Sequence, residues 1–551
     1  MTGRRFKPGE SVDFVVVGTG AAGGVMAREL ARTGFTVLAL EQGPRLTAAD
    51  FRHDELDYWF NNGLINKLDT NPQTFRKTPE EVAQRVEDGL PPAWYAPLVG
   101  GSSTHFTANY WRFHENDFRE RSLLGAIPGT SFADWPLDYA ELEPYYTRVE
   151  WEIGVSGLAG ASPFDPPRSR PYPMPPLPVK SSGVLFERGA RKLGLHPFPA
   201  PMAIASVPYR GRAACAHCGF CMGYGCEMQA KSSTLYNMIP EAEATGRCEV
   251  RSRSYVSRIE LDAKGRTTGV AYFDAEKREH FQKARAVVLC ANGAESARLL
   301  LLSASARFPE GLANSSGLVG RNLMFNGYAE VHAIFEHELN EYKSVQVTRV
   351  AHDFYEHDPK RGFYGGGGLD SRIGPLPIGW ALLAPPPQRS WGPQYKALIE
   401  AMPRAMVVAS HTTSLPLDTN RVDLDPTLKD AWGLPAMRVT YRDHADDLKM
   451  CAFLQDRAVE IMHAAGAQQV WKADLGESTA SPHLLGTCRM GNDPRTSVVD
   501  RHHRTHDVRN LFICDGSSFV TSGRGQPTMT IQALAFRAAE GIARFARRGE
   551  V

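Results

Sequence analysis

A glycine-rich turn near the N-terminus could hold the diphosphate of a dinucleotide. Residues 18–23 read GTGAAG, and they lie between a predicted strand at 12–17 and a predicted helix, which is the context that this pattern requires. Gly18 permits the tight turn, Gly20 lets the backbone approach the phosphates, and Gly23 lets the helix lie close to the strand. The phosphates would then lie at the helix N-terminus, where backbone N–H groups point outward.

An acidic residue follows the turn at the spacing expected of such a site. Glu41 ends the second predicted strand, 23 residues after Gly18. Its carboxylate can accept hydrogen bonds from ribose hydroxyls, and it disfavours a 2′-phosphate. The turn, the two strands and Glu41 together favour a dinucleotide site. The simpler alternative is a glycine-rich turn that only caps the helix. They do not distinguish NAD from FAD.

A second group of residues could bind a metal or a cluster. Four of the nine cysteines fall within twelve residues, with glycines between them: Cys215, Cys218, Cys221 and Cys226. Thiolates at this spacing can wrap an iron–sulfur cluster, with three irons if three cysteines bind and four if all do. A structural zinc site usually joins two separated pairs, and two disulfides are a third option in an exported protein. The other five cysteines are expected to be small buried residues.

Composition and charge limit the classes of function. A chain of 551 residues with 42% hydrophobic and 22% charged residues fits an ordinary globular protein of two domains. A formal net charge of +1 gives no electrostatic basis for holding nucleic acid. No apolar run approaches the ~20 residues of a membrane span. The pair Arg4-Arg5 is not followed by an apolar stretch, so we expect no export signal in this chain.

The predicted elements place the glycine turn in a βαβ unit and leave a separate region for the substrate. Residues 330–475 lack the alternation of strands and helices and are predicted to face the substrate. The remaining predictions are a hairpin of 248–260 with 268–273, a buried strand at 284–290, a helix at 295–302, a strand at 510–514 and a long helix at 528–547.

Several sequence blocks identify a family resemblance. Residues 483–491 read HLLGTCRMG, 515–517 read DGS and 526–530 read QPTMT. Together with the first glycine turn, GGSS at 100–103 and NGAES at 292–296, they strongly resemble the glucose–methanol–choline (GMC) oxidoreductase family. The resemblance implies FAD as cofactor and oxidation of an alcohol or hemiacetal by hydride transfer to the flavin.

The resemblance also implies the fold class and the domains. The expected class is α/β, with a Rossmann-like FAD-binding domain interleaved with an α+β substrate domain that carries an antiparallel sheet. The FAD-binding domain is predicted at 1–45, 95–125, 210–325 and 480–551. The substrate domain is predicted at 46–94, 126–209 and 326–479.

Site residues are carried over from the family motifs. His483 is implied as the base that takes the hydroxyl proton, since imidazole can have a pKa near working pH. Gln526 occupies a position where the family usually has His or Asn, and its amide could orient the substrate but not act as a base. The implied cofactor-binding residues beyond the first turn are Gly100, Gly101, Ser102, Ser103, Val256, Asp515, Gly516, Thr528 and Met529.

His105 carries a separate expectation. The run Ser103-Thr104-His105 resembles the pyranose oxidase subgroup, in which such a histidine is bonded to the flavin ring. The resemblance implies a covalent bond between His105 and FAD, or else a histidine that only hydrogen-bonds beneath a noncovalent flavin.

The cysteine segment ends in AKSS at 230–233, which resembles gluconate and glucoside 3-dehydrogenase members of the family. This resemblance implies an FAD-dependent dehydrogenase of a sugar, glycoside or polyol. Its electrons would leave through an iron–sulfur cluster to a cytochrome c or a quinone. A small partner subunit with an export signal would carry the chain to the periplasm, the alternative being a cytoplasmic enzyme. The two alternative functions are an oxidase that makes hydrogen peroxide and a non-catalytic flavin electron-transfer subunit.

Overall fold

The computed structural model describes residues 4–7, 9–340, 342–374, 376–383 and 391–551. Residues 1–3, part of the stretch considered above for an export signal, lie outside this range. Within the described part of the chain, no helix has both the length and the apolar character needed to cross a membrane.

Strands and helices alternate irregularly along the chain. The strands are β1 Val12–Val17, β2 Val37–Leu40, β3 Gln73–Arg76, β4 Gln84–Arg85, β5 Phe198–Pro199, β6 Cys248–Arg251, β7 Tyr255–Leu261, β8 Thr267–Phe273, β9 Glu279–Leu289, β10 Tyr328–Ile334, β11 Val347–Ala351, β12 Gly367–Arg372, β13 Ala405–Thr412, β14 Arg421–Lys429, β15 Pro435–Thr440, β16 Gln469–Lys472 and β17 Leu511–Ile513. The helices are α1 Ala21–Arg32, α2 Glu55–Phe60, α3 Glu120–Leu124, α4 Tyr139–Val149, α5 Ser181–Lys192, α6 Met238–Ala244, α7 Glu295–Leu302, α8 Pro377–Leu383, α9 Gly392–Glu400, α10 Ala445–Ala465 and α11 Thr528–Arg547.

A seven-stranded sheet draws strands from three separate parts of the chain. Its order is β6-β2-β1-β9-β8-β7, with β17 also paired to β9. Strands β6, β2, β1, the second half of β9, and β17 are parallel, whereas β7 and β8 add an antiparallel hairpin. Apolar runs such as VDFVVV suit β1 because a parallel strand between helices is buried on both faces. The predicted βαβ unit, the helix at 295–302 and the last helix are confirmed.

One predicted strand is in fact two. Residues 248–260 do not form a single arm of a hairpin. Instead β6 pairs in parallel with β2, and only β7 pairs with β8. The break follows from Arg253, which has a positive φ of 53°, a conformation that ends an extended strand.

The remaining strands form two further sheets. A six-stranded sheet has the order β16-β10-β13-β12-β11-β5, and its pairs are antiparallel. Helices α10 and α5 pack on one face of it, against Val331, Leu369, Met406 and Val408. A four-stranded sheet has the order β14-β15-β3-β4. The α/β class with an antiparallel sheet is confirmed, while the predicted domain boundaries stay predictions.

Candidate active site

One cavity lies along the carboxyl ends of β1, β2 and β9. Eleven of the residues predicted from sequence line it: Gly18, Gly20, Glu41, Gly101, Ser102, Ser103, Val256, His483, Asp515, Gly516 and Thr528. Ligands of open α/β sheets bind at this edge of the parallel strands. The structure therefore brings the first glycine turn and the C-terminal motifs, more than 400 residues apart in the sequence, to the same cavity.

The glycines of the first turn are required by space as well as by backbone conformation. Gly18 has a φ of +90°, and a Cβ there would lie 2.4 Å from the carbonyl oxygen of Cys290. A Cβ on Gly23 would lie 2.0 Å from the carbonyl oxygen of Gly18, so this residue packs behind the turn. Beside Gly20 the nearest atom to such a Cβ is the Cα of Gly101 at 3.8 Å. The backbone at Gly20 is therefore open to a ligand, as phosphate binding requires.

Glu41 is held rigidly at the end of β2. One carboxylate oxygen accepts hydrogen bonds from the Thr19 backbone N–H at 3.0 Å and the Thr19 hydroxyl at 2.8 Å, and the other accepts from Gly43 N–H at 3.3 Å. Burial raises the pKa of Glu41 to about 7, since a charged carboxylate is costly away from water. Ribose hydroxyls donating to this carboxylate would offset that cost.

The segment from Gly100 to Ser103 lies directly behind the first turn. Gly100 has a φ of +98°, and a Cβ on Gly101 would lie 2.8 Å from the Cα of Gly20. The Ser103 hydroxyl donates to the carbonyl of Gly100 at 2.7 Å and contacts the Ser233 hydroxyl at 2.9 Å. Gly100 thus shapes the wall, and the three residues after it line the cavity.

Asp515 lines the cavity, but its carboxylate is hydrogen-bonded to other groups of the protein. It accepts hydrogen bonds from the Ser296 and Ser517 hydroxyls, both at 2.6 Å, and from the Asn292 N–H at 3.2 Å. Asn292 in turn accepts the N–H groups of Ala294 and Glu295, at 2.9 and 3.0 Å, at the start of α7. Asp515 therefore fixes the β9–α7 turn against the C-terminal motif.

His483 lines the same cavity as Glu41 and Val256. Its backbone N–H donates to the Ser481 hydroxyl at 3.0 Å, and that hydroxyl donates to the Phe325 carbonyl at 2.9 Å. Burial, followed by the positive charge of Arg372 and the proximity of His411, lowers the pKa of His483 to about 4. The ring is neutral at neutral pH and can accept a proton.

Helix α11 begins at the cavity beside this histidine. Pro527, Thr528 and Ile531 line the cavity, and α11 runs for 20 residues from Thr528. Its N-terminal N–H groups can stabilise negative charge on a ligand. Gln526 is half-buried immediately before Pro527 but is not itself part of the lining, and Met529 packs into the hydrophobic core.

His105 is buried behind the lining, next to Phe106, which does line the cavity. Its Nε2 atom is buried without a hydrogen-bond partner, and its carbonyl accepts the Gly223 N–H at 2.7 Å. Burial, with the nearby charge of Lys231, lowers the pKa of His105 to about 3. The ring is thus a neutral imidazole with an unused nitrogen.

The four-cysteine segment does not form the predicted metal site. Within the described residues, no three His, Cys, Asp or Glu side chains are grouped so that they could hold a metal ion, and Cys215, Cys218, Cys221 and Cys226 are all free thiols. Cys215 and Cys226 pack on a small apolar cluster and Cys218 is exposed. As placed, the four thiols form no such group, so the structure does not support the predicted cluster.

Two glycines of this segment make room for aromatic rings. A Cβ on Gly223 would lie 2.1 Å from the ring of Tyr58, and one on Gly225 would lie 1.9 Å from the ring of Phe51. Spacing alone could not reveal this, because both rings come from a distant part of the chain.

A buried lysine fixes the cysteine segment against the cavity wall. The Lys231 ammonium donates to the carbonyls of Phe106 at 3.1 Å, Tyr224 at 2.8 Å and Cys221. We expect Lys231→Met to lower the free energy of unfolding by about 3 kcal/mol, because it leaves three carbonyls without a donor. Lys264→Met, at an exposed turn, should change it by less than about 0.5 kcal/mol. Denaturant unfolding of both variants measures the difference, and equal stabilities would contradict the role of Lys231.

Sequence reasoning did not assign the polar residues that line the cavity near Val256. The Tyr95 hydroxyl donates to Glu295 at 2.6 Å, and both residues line the cavity. Tyr255 also lines it, stacks on Trp432 with ring centroids 4.0 Å apart, and accepts from buried Arg298 at 2.7 Å. Glu295 lies in the recognised NGAES motif, which was the one available signal.

Comparison with known proteins agrees with the geometry. Family models described as GMC oxidoreductase match residues 12–326 and 416–535. The chain is 34% identical to a 2-methyl-1,2-propanediol dehydrogenase from Mycolicibacterium austroafricanum, over 97% of this chain and 96% of the relative. It is 32% identical to a fructose dehydrogenase large subunit from Gluconobacter japonicus, over 98% and 99%.

A solved structure shares the fold. The pyridoxine 4-oxidase from Mesorbium loti superposes with a TM-score of 0.66 at 18% identity, covering 97% of this chain and 99% of that one. The GMC oxidoreductase family match supports FAD as the cofactor, and the open backbone at Gly20 and the acidic Glu41 fit its diphosphate and ribose. The chain belongs to the GMC oxidoreductase family and is an enzyme that oxidises CH–OH donors.

Proposed function

We propose that this protein is an FAD-dependent dehydrogenase of a polyol, sugar or glycoside. The observation that carries the proposal is one cavity with a dinucleotide turn along one wall and a neutral, buried histidine in its lining. The two relatives named above are dehydrogenases of a diol and of a sugar, which supports the substrate class. Bound FAD would accept a hydride from the substrate carbon.

His483 is assigned the role of base. Its neutral ring would take the proton of the substrate hydroxyl while the carbon–hydrogen bond breaks. Gln526, which directly precedes the cavity-lining Pro527, would hydrogen-bond the substrate oxygen through its amide. A non-catalytic electron-transfer subunit would have no use for such a base.

The pKa of His483 sets the expected pH dependence. A base must be deprotonated to act, and a pKa lowered to about 4 keeps it deprotonated well below neutral pH. We expect the rate of flavin reduction to stay flat between about pH 8 and pH 5 and to fall as the pH drops through about 4. Rapid mixing with short exposure to acid measures it. A rate that already halves near the ordinary histidine value of about 6.5 would contradict the assignment.

We also propose that His105 carries the flavin covalently. Its neutral ring, its unused Nε2 and its position next to a cavity-lining residue support the bond. Acid precipitation should leave the yellow colour with the protein, and His105→Ala should move it to the supernatant. Colour in the supernatant of the wild-type sample would show that the flavin is noncovalent.

The acceptor distinguishes a dehydrogenase from an oxidase. We expect an artificial electron acceptor to support turnover far better than oxygen does. Rapid formation of hydrogen peroxide in air, at the rate seen with the acceptor, would instead indicate an oxidase. The assay needs only the holoenzyme and a substrate that bleaches its flavin.

The physiological acceptor and partner are proposed by class. A cytochrome c or a quinone would take the electrons, and a small subunit with an export signal would accompany the chain to the periplasm. The proposal does not route electrons through the four cysteines, because their placement does not fit a cluster. Purification from the native host with the partner still attached would test this arrangement, and a lone cytoplasmic chain would contradict it.

A further inference from the structure

A sharp turn leads into α11, and its backbone uses two glycines. Gly523 has a φ of +60° and Gly525 has a φ of +111°. A Cβ would lie 2.3 Å from the ring of Phe113 at the first glycine and 2.9 Å from the His411 side chain at the second. Neither position tolerates a side chain without a shift of its neighbours. Arg524, which lies between the two glycines, is therefore the residue whose side chain can anchor the turn.

The Arg524 side chain is 1% exposed, and its guanidinium reaches three groups on other parts of the chain. Nε donates to the Tyr355 carbonyl at 2.7 Å. Nη1 donates to the Asp117 carboxylate, and Nη2 pairs with the Glu120 carboxylate. Asp117 also accepts from the Tyr355 hydroxyl at 2.7 Å, so the acceptors are themselves fixed. These three contacts form the Arg524 clamp, and they use the planar, forked shape of a guanidinium.

A separate pair of hydrogen bonds fixes the turn to another segment. The Ser522 hydroxyl accepts the Ser414 N–H at 2.8 Å and donates to the Ser414 carbonyl at 3.1 Å. Ser414 follows β13, whereas Asp117 precedes α3. The turn before Gln526 is therefore bonded to two segments that are almost 300 residues apart in the sequence.

The turn determines where one wall of the cavity lies. Gln526 follows the turn directly, and the next residues, Pro527, Thr528 and Ile531, line the cavity. Arg524 is not itself part of that lining, so its influence must pass through the backbone. A displaced turn would move Gln526 and the start of α11 together, because the chain runs from one into the other without a break.

We propose that Arg524 is a positioning residue for substrate binding, which acts by holding Gln526 and the start of α11 at the cavity. The inference rests on the proposed oxidation and on the role proposed for Gln526, and it adds a residue that lies outside the cavity lining. The Gln526 amide would bind the substrate oxygen both before and during hydride transfer. Loss of the Arg524 clamp should therefore weaken substrate binding more than it slows the limiting rate.

Arg524→Lys is the test variant because lysine keeps the charge but cannot serve three acceptors in three directions. Arg524→Met would leave two buried carboxylates without a partner, at a cost to folding. For Arg524→Lys we expect the half-saturating concentration of 1,2-propanediol in flavin reduction to rise about tenfold. The limiting rate should stay within about threefold of wild type, and the FAD content should not change.

Arg28→Lys is the matched control. Arg28 is also fully buried, and it pairs with three carboxylates, those of Glu29, Glu152 and Glu241. None of these four residues belongs to the cavity lining. Arg28→Lys should therefore keep the wild-type half-saturating concentration even if it lowers the stability of the protein.

A double-mutant cycle shows whether Arg524 acts through Gln526. Gln526→Ala alone should raise the half-saturating concentration about tenfold, and adding Arg524→Lys to it should change that value by less than about twofold. Effects that multiply to about a hundredfold would show that the two residues act independently. That result, or an Arg524→Lys enzyme with wild-type kinetics, would contradict the proposal.

Amide hydrogen exchange of the holoenzyme tests the Arg524 clamp without turnover. The Ser414 N–H is bonded to the Ser522 hydroxyl and the Ile531 N–H to the Pro527 carbonyl, at 2.8 and 2.9 Å. Arg524→Lys should speed the exchange of both amides at least about tenfold, and Arg28→Lys should not. Unchanged exchange in Arg524→Lys would refute the clamp. If exchange follows the expectation but no alcohol bleaches the wild-type flavin, the clamp stands and the proposed oxidation fails.

Discussion

His483→Asn slows flavin reduction by the alcohol substrate about 100- to 10,000-fold while the protein keeps its FAD. This is the range that a positioned general base contributes, and asparagine can hydrogen-bond the substrate but cannot take its proton. His483 lies in the cavity lining, and its backbone N–H bonds the Ser481 hydroxyl, so the substitution leaves the backbone contacts in place. Anaerobic stopped-flow absorbance of the flavin measures the rate.

The matched control is His463→Asn, on the exposed side of α10. It should reduce its flavin at the wild-type rate. A His483→Asn enzyme that retains more than about a tenth of the wild-type rate would remove the base from the mechanism and revive a non-catalytic reading of the motif.

Gly18→Ala abolishes flavin binding and destabilises the protein by about 2–5 kcal/mol. The left-handed backbone at φ +90° costs an alanine about 1–2 kcal/mol. A Cβ placed 2.4 Å from the Cys290 carbonyl oxygen adds an overlap cost of about 1–3 kcal/mol. The overlap would also push β1 and the turn away from β9, which removes the phosphate cradle.

Gly34→Ala separates the two causes. Gly34 has a φ of +100° and nothing within 4 Å of its Cβ position, so it carries the backbone cost alone. This variant should lose about 1–2 kcal/mol and keep a full complement of FAD. Unfolding curves and the ratio of flavin to protein absorbance report both quantities. Equal flavin loss in the two variants would contradict the assigned role of the first turn.

The parts of the site that could be predicted from sequence are those set by local backbone constraints. Gly18, Gly20 and Gly23 are demanded by one turn and its two neighbouring elements, so a short stretch of sequence contains all the information. The last helix, Thr528–Arg547, is likewise set by its own apolar periodicity. The C-terminal blocks around His483 and Asp515 were recognised by resemblance, and they converge on the cavity as that resemblance implied.

The parts that could not be predicted depend on partners far away in the chain. Residues of β6 are extended whether they belong to the predicted hairpin or to a separate strand. Only the pairing of β6 with β2, which the structure shows, distinguishes the two. Cysteine spacing shows which thiols a cluster could use, but the direction of each thiol follows from packing. Gly223 and Gly225 leave space for the rings of Tyr58 and Phe51. Nothing in the sequence of residues 215–226 indicates these contacts, because both rings come from another part of the chain.

The face of the six-stranded sheet that is turned away from α5 and α10 illustrates the same limit. Alternation along β10, β12 and β13 is visible in the sequence, yet which face meets the helices is decided by tertiary packing. Arg372 and Asp370 therefore read as ordinary surface charges until the fold buries them. Their effect on His483, whose pKa Arg372 helps to lower, is invisible without the structure.

Anaerobic reduction of the bound flavin by a polyol tests the central claim most directly. The account predicts that mixing the holoenzyme with a 1,2-diol bleaches the oxidised flavin, and that deuterium on the carbinol carbon slows the bleaching several-fold, because that carbon–hydrogen bond breaks in the step observed. Flavin that stays oxidised with every diol, sugar and simple alcohol supplied would contradict it.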